Sequence, residues 1–249
     1  MWADVHLHLD SVPDVKGVLE RAEKENVQLF FSNSANLRSM EKTLELQRAF
    51  PQVKACLGLY PGDVLQLTEK EIELALQFAR AHAEECAGFG EVGLDFKLAV
   101  SLPQQSKQLK VFEQFISLAK EFNKPLEVHS RGARAECLKI LREKGAGKVL
   151  LHFFSGSKAQ ARQVQEAGFF VSANCSALYN NWNDAFFQSL SLENLLLESD
   201  APMRVQGNAV EPFLIPKLGE KIALLKEVSL SELESKITLN SEKLFENHL

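Results

Sequence analysis

The sequence predicts an α/β fold, a single-domain (β/α)8 TIM barrel spanning residues 1–249, and three observations lead there. Short apolar runs alternate with longer stretches of helical periodicity along the whole chain. Eight such runs can be counted, at residues 5–9, 27–32, 53–59, 87–94, 125–129, 148–154, 168–173 and 195–198. The length of 249 residues suits eight strand–helix units closed into a barrel. No glycine-rich phosphate loop of a nucleotide-binding sheet follows any of the runs.

Taken in order, the first run lies in "ADVHLHLD", where alternation puts Asp4, His6 and His8 on one face and Val5, Leu7 and Leu9 on the other. The first helix follows, with Val15, Val18, Leu19 and Ala22 at helical spacing. Thr68 ahead of "EKE" marks a helix start between the third and fourth strands. Leu109, Phe112, Phe115, Ile116 and Ala119 form the apolar stripe of the helix before the fifth strand, which Lys124-Pro125 closes. Gly145-Ala146-Gly147 closes the next helix. Nothing along the chain reads as a linker, a repeat or a low-complexity segment.

Composition bounds the function. Hydrophobic residues make up 45% and charged residues 24%, ordinary values for a globular protein with a sizeable core. The net charge of −5 disfavours a generally polyanion-binding surface, so a nucleic-acid partner needs a local source of positive charge. No apolar run approaches the roughly 20 residues of a membrane span, and no signal-peptide pattern opens the chain. Cys56, Cys86, Cys137 and Cys175 lie far apart without a C-x-x-C pair, which predicts buried, reduced thiols and a cytoplasmic protein. The oligomeric state is left open, and a monomer is compatible with the sequence.

Polar residues concentrate where a barrel would gather them. Of six histidines, His6, His8, His129 and His152 stand in or at the end of predicted strands. Glu91 ends the fourth strand, and Glu198 and Asp200 end the eighth. The C-terminal ends of parallel barrel strands meet at one face. Imidazoles and carboxylates collected there supply the nitrogen and oxygen donors of a divalent-metal site. His82, in a helical segment, and His248, near the C-terminus, read as solvated. Arg131, two residues after His129, is placed to contact a phosphate, and Lys97 and Arg204 follow the fourth and eighth strands toward the same mouth.

The segments "DVHLHLD", "GEVGLD", "EVHSRGA", "HFFSGS" and "ESDAP" resemble, in order, the signatures of TatD-type metal-dependent deoxyribonucleases, within the amidohydrolase-like barrels. The resemblance runs from residue 4 to about residue 245. It implies two divalent cations (zinc, manganese, nickel, iron or magnesium), one held by His6, His8 and Asp200 and the other by His129 and His152. Glu91 would bridge them. It also implies catalytic roles for Asp200 and Glu91, and for Glu198 either a catalytic or a supporting one. Asp4, one layer deeper than His6, is expected to orient a ligand histidine. The implied reaction is two-metal hydrolysis of phosphodiesters at single-stranded or frayed DNA ends. The alternatives are hydrolysis of small amides, lactones or phosphoesters, and a silent metal-binding scaffold. Two departures bear on the substrate. Tyr60-Pro61-Gly62 stands where the family carries His-Pro-His, and "GNAVEP" at 207–212 replaces a basic segment.

Overall fold

The computed structural model describes residues 1–181 and 183–246; His248 lies outside the described residues. The eight expected strands are present as β1 (Trp2–Leu7), β2 (Val27–Asn33), β3 (Val53–Cys56), β4 (Phe89–Gly93), β5 (Leu126–His129), β6 (Val149–Leu151), β7 (Phe170–Asn174) and β8 (Leu195–Glu198). The helices are α1 (Val15–Lys24), α2 (Leu37–Ala49), α3 (Pro61–Val64), α4 (Glu69–Ala81), α5 (Leu102–Glu121), α6 (Arg134–Glu143), α7 (Lys158–Glu166), α8 (Asp184–Ser189), α9 (Ile215–Lys226) and α10 (Leu230–Phe245). A short hairpin, β9 (Arg204–Val205) with β10 (Asn208–Ala209), follows the eighth strand.

The strands run parallel in chain order, as β1-β2-β3 and β4-β5-β6-β7-β8. Two seams close them into a barrel. At the first, Cys56 bridges Gly88, Ala87 N donates to Ala55 O at 2.8 Å and Leu57 N donates to Gly88 O at 3.0 Å. At the second, Asp200 N donates to His6 O at 2.9 Å and His8 N to Ala201 O at 2.7 Å. A side chain completes this second seam, because Asp4 Oδ1 accepts the Ser199 N–H at 2.9 Å.

Local sequence explains the helices. Thr68 caps α4 as expected, its hydroxyl accepting from Glu71 N at 3.3 Å while the Glu71 carboxylate accepts from Thr68 N at 2.7 Å. Asn36 and Ser157 cap α2 and α7 in the same reciprocal manner, and the Ser229 hydroxyl caps α10 by accepting from Glu232 N. The α5 stripe turns Phe112, Phe115, Ile116 and Ala119 inward, with Leu109 at its margin. All four cysteines are free and buried. Trp2 fills the space left by Gly219 of α9, and Phe31 stacks on Phe245 of α10 with centroids 3.6 Å apart, so the last helices seal the outside of β1 and β2. No helix among the described residues is long and apolar enough to cross a membrane.

The strands are shorter than the apolar runs that announced them. Leu57 and Leu59 are buried yet lie beyond β3, and Phe154 is buried beyond β6, where Phe153 turns the backbone to φ 45°. Apolar residues beyond the strand ends roof the core, which a hydrophobic run cannot distinguish from strand. The polar face of β1 proves dry: Asp4 and His6 are fully buried. Burial lifts the Asp4 carboxyl to about 7.

The seam makes a prediction. Asp4→Ala leaves the Ser199 N–H without its acceptor and should cost about 1–3 kcal/mol in urea unfolding. Asp4→Asn keeps an oxygen acceptor and should lose less. Equal losses in both variants would show that Asp4 does not act through this hydrogen bond.

Candidate metal centre

The C-terminal ends of the strands assemble a compact set of donors around Glu91. Its Oε1 lies 2.7 Å from His129 Nδ1 and 2.8 Å from His152 Nε2, and its Oε2 lies 3.4 Å from His8 Nε2. His8 Nε2 is in turn 3.5 Å from Asp200 Oδ1, which stands 3.9 Å from His6 Nε2. Two triads result, His6-His8-Glu91 and Glu91-His129-His152, each with its ligand atoms within 4.8 Å of one another. Glu91 belongs to both.

Backbone geometry aims these groups. Gly93 pairs with His129 across β4 and β5 at φ 137°, and a Cβ there would sit 2.1 Å from His129 O. Only glycine lets the two strands meet so closely beside Glu91. Asp200, within the second seam, occupies the left-handed region at φ 57°, which turns its carboxylate toward His6 and His8. An aspartate tolerates that conformation better than a branched residue does.

The far nitrogen of each imidazole faces an acceptor. His6 Nδ1 lies 3.0 Å from Glu127 Oε2, His8 Nδ1 is 2.9 Å from Asn33 O, and His129 Nε2 is 3.1 Å from Asp95 Oδ2. His152 Nδ1 faces Glu198 Oε1 at 3.6 Å. A proton held on each of these nitrogens leaves the other lone pair pointing at Glu91 and Asp200, as metal-ligating histidines require. The donor set passes a direct test of fit to a cation. His6 Nε2 is buried without a hydrogen-bond partner among the described residues, a costly arrangement unless a cation takes its lone pair.

Electrostatics agree. Burial alone would raise the Glu91 carboxyl, but His152 and His129 outweigh it and hold it well below the ordinary range. Burial and the nearby His152 imidazole push His6 well below its usual value, so it is neutral and ready to ligate. Burial opposes charge on His8, His129 and His152 as well, yet the surrounding carboxylates raise all three.

The site residues expected from the sequence separate into groups. His6, His8, Glu91, His129, His152 and Asp200 converge. Glu198 is fully buried behind His152, accepting hydrogen bonds from Ser172 Oγ and from Asn174 Nδ2. Arg131 lines the cavity over the metal centre, which has a volume of about 680 Å³, together with Tyr60, Ser130 and Arg134. Lys97 and Arg204 are exposed and are not among the residues lining it; Arg204 instead bonds Gly207 O within its own hairpin. Asp4 corrects the expectation made for it: its carboxylate closes the barrel seam, and Glu127 orients His6. His82 is half-buried rather than solvated, its Nδ1 3.0 Å from Phe78 O. Glu127, Asp95 and Asn33 escaped the sequence reading. Glu127 stands two residues before His129, the same alternation that singled out Asp4 and His6, and Asp95 closes "GEVGLD".

This geometry has relatives. The family model described as TatD related DNase matches residues 3–246. The chain belongs to that family. It is 34% identical to human "Deoxyribonuclease TATDN3", with 97% of this chain and 93% of the relative aligned. It is 30% identical to the "Uncharacterized metal-dependent hydrolase YabD" of Bacillus subtilis, over 98% of this chain and 99% of the relative. The crystal structure of YJJV, a TatD homolog from Escherichia coli K12, superposes with a TM-score of 0.89 at 25% identity, covering 98% and 97% of the two chains.

The raised imidazoles of this TatD-family chain predict proton release on metal loading. His8, His129 and His152 must be unprotonated to ligate, so affinity should climb with pH until these imidazoles have lost their protons, and fall as the medium is acidified. Calorimetric titration with Mn²⁺ or Zn²⁺ near pH 7, in two buffers of different ionisation heat, reads the protons expelled. A heat independent of buffer would contradict the protonation assigned to these three rings.

Proposed function

We propose that the protein is a divalent-metal-dependent deoxyribonuclease that hydrolyses phosphodiester bonds at single-stranded or frayed DNA ends. Two cations would be held, one by His6, His8 and Asp200, the other by His129 and His152, with Glu91 between them. One observation carries the reading: a single buried carboxylate, Glu91, belongs to both ligand triads. Imidazole mixed with carboxylate favours zinc, manganese, nickel or iron over magnesium. Such a pair, when bound, supplies Lewis acidity to the phosphoryl group and to the attacking water.

The chain's own residues do the rest. Asp200, with 18% of its side chain exposed and Oδ1 facing His8, is the carboxylate placed to take the proton of the attacking water. Arg131, 64% exposed, offers a forked contact to phosphate oxygens. Tyr60 packs edge-on to His129, centroids 5.1 Å apart, and leaves a ring in the cavity wall for a base to stack on. Glu198 supports His152 from below rather than meeting substrate. A recessed cavity in a protein of net charge −5 suits a strand end better than an intact duplex.

Metal-reconstituted protein should degrade end-labelled single-stranded oligonucleotides far faster than simple esters or amides, and chelation should abolish this. Glu91→Gln should lose metal and activity together. Arg131→Ala should keep its metal and lose about ten- to a hundredfold in kcat/KM, the weight of one charge-assisted hydrogen bond of about 1.5–3 kcal/mol. Faster turnover of small esters than of oligonucleotides would overturn the nuclease reading, and wild-type turnover by Arg131→Ala would remove that residue from the site.

A further inference from the structure

The loop from β5 into α6 presents polar groups to the cavity that the metal triads leave unused. Ser130 directly follows the ligand His129. It is only 6% exposed, lines the cavity, and its hydroxyl makes no hydrogen bond with any described residue. That hydroxyl opens on the cavity rather than being sealed in the core, so it is free to donate to, or accept from, a molecule that enters.

Two guanidinium groups flank it. Arg134, half-buried at the start of α6, lines the same cavity and forms no hydrogen bond or ion pair with a described residue. Arg131 is held only loosely, its Nη1 3.9 Å from Asp95 Oδ2. Elsewhere three arginines use their forks: Arg21, Arg48 and Arg80 each close two hydrogen bonds on one glutamate. Those without a partner outside this cavity, Arg38, Arg142 and Arg162, are exposed.

The loop is fixed in place. Phe96 N donates to Arg131 O at 3.0 Å, and Gly132 makes the turn at φ 72°, with Lys97 lying 3.3 Å from where a Cβ would stand. Asp95 contacts both Arg131 and the metal-facing His129, so the guanidinium and the metal triad share one anchor. The first turn of α6 faces the cavity without a side-chain cap, but Glu136 in that turn offsets part of its dipole. The arginines therefore carry the positive charge.

We infer that Ser130, Arg131 and Arg134 form a second phosphate subsite, for the phosphate next to the scissile phosphodiester along the strand. This rests on the nuclease reading and deepens it: the substrate must carry at least two successive phosphates, which a lone phosphoester, amide or lactone lacks. Three donors of this kind, two of them planar forks, match the oxygens of one phosphate.

The test is a double-mutant cycle between protein and substrate, with metal content checked in each variant. Metal-loaded wild-type protein and Arg134→Ala are assayed on oligonucleotides carrying one neutral methylphosphonate on either side of the scissile bond. The wild type should lose about tenfold in kcat/KM when the adjoining phosphate on one side is neutral. Arg134→Ala should lose about tenfold on the natural strand and almost nothing more on the neutral one. Losses that multiply, or a wild type indifferent to both methylphosphonates, would overturn the subsite.

A second arm needs no turnover. By calorimetry, thymidine 3′,5′-bisphosphate should bind the wild type about tenfold more tightly than thymidine 5′-monophosphate, and Arg134→Ala should erase that advantage. Equal binding of the two nucleotides by the wild type would reject the subsite even if oligonucleotides are cleaved. Failure to cleave any oligonucleotide, with the bisphosphate preference intact, would reject the nuclease reading alone.

Discussion

Glu91 is a carboxylate buried at the centre of the barrel mouth, and a buried charge has to be compensated where it stands. Its two oxygens approach His129, His152 and His8, and those contacts determine where three different strand ends must lie. Leaving so buried a carboxylate without partners would be costly. The imidazoles, and the cations they are disposed to hold, turn that cost into an attraction. Gly93 beside it, the tight pairing of β4 with β5, and the turn that swings Asp200 inward all follow from bringing donors to this one group.

A second layer of acceptors keeps the donors correctly protonated. Glu127 behind His6, Asp95 behind His129 and the Asn33 carbonyl behind His8 each meet the ring nitrogen turned away from Glu91 and Asp200. Asn33 serves twice, because its side-chain amide also donates to Glu127 Oε2 at 2.8 Å. Burial raises the Glu127 carboxyl to about 8. Its hydrogen bonds to His6 and Asn33 therefore matter more for orientation than for charge. The layer beneath belongs to folding rather than to ligation: Asp4 spends its carboxylate on the seam between β1 and β8, and the same seam carries the backbone bonds of His6 and Asp200.

Much of this was legible in the sequence, for identifiable reasons. Strand and helix periodicities differ, so the eight units stand out. A parallel barrel gathers strand ends, so histidines and carboxylates at those ends had to meet. What alternation cannot reveal is depth. Asp4 and Glu127 both share a strand face with a histidine of the Glu91 cluster, two residues before it, yet one reaches the neighbouring strand's backbone and the other a ring nitrogen. Side-chain direction after a strand ends is equally hidden: Lys97 and Arg204 follow strands four and eight but stay out of the cavity wall. Arg134 and Ser130 reach it from the fifth loop.

An acidic protein that handles a polyanion must concentrate its positive charge, and the structure supports a way of doing so in two steps. The innermost charge would come from cations at the Glu91 cluster, beside a carboxylate only 5% exposed, where screening is weaker than at the surface. The next would come from Arg131 and Arg134, which remain unforked by any glutamate, unlike Arg21, Arg48 and Arg80 on the outer surface. Lys97 and Arg204 are not among the residues that line the cavity, so neither extends that charge along its wall. Charge so confined holds a few phosphates strongly and the rest of a strand weakly. In the proposed nuclease, specificity would then fall on the strand end that reaches the Glu91 cluster, because a chain of net charge −5 offers a long duplex little general attraction.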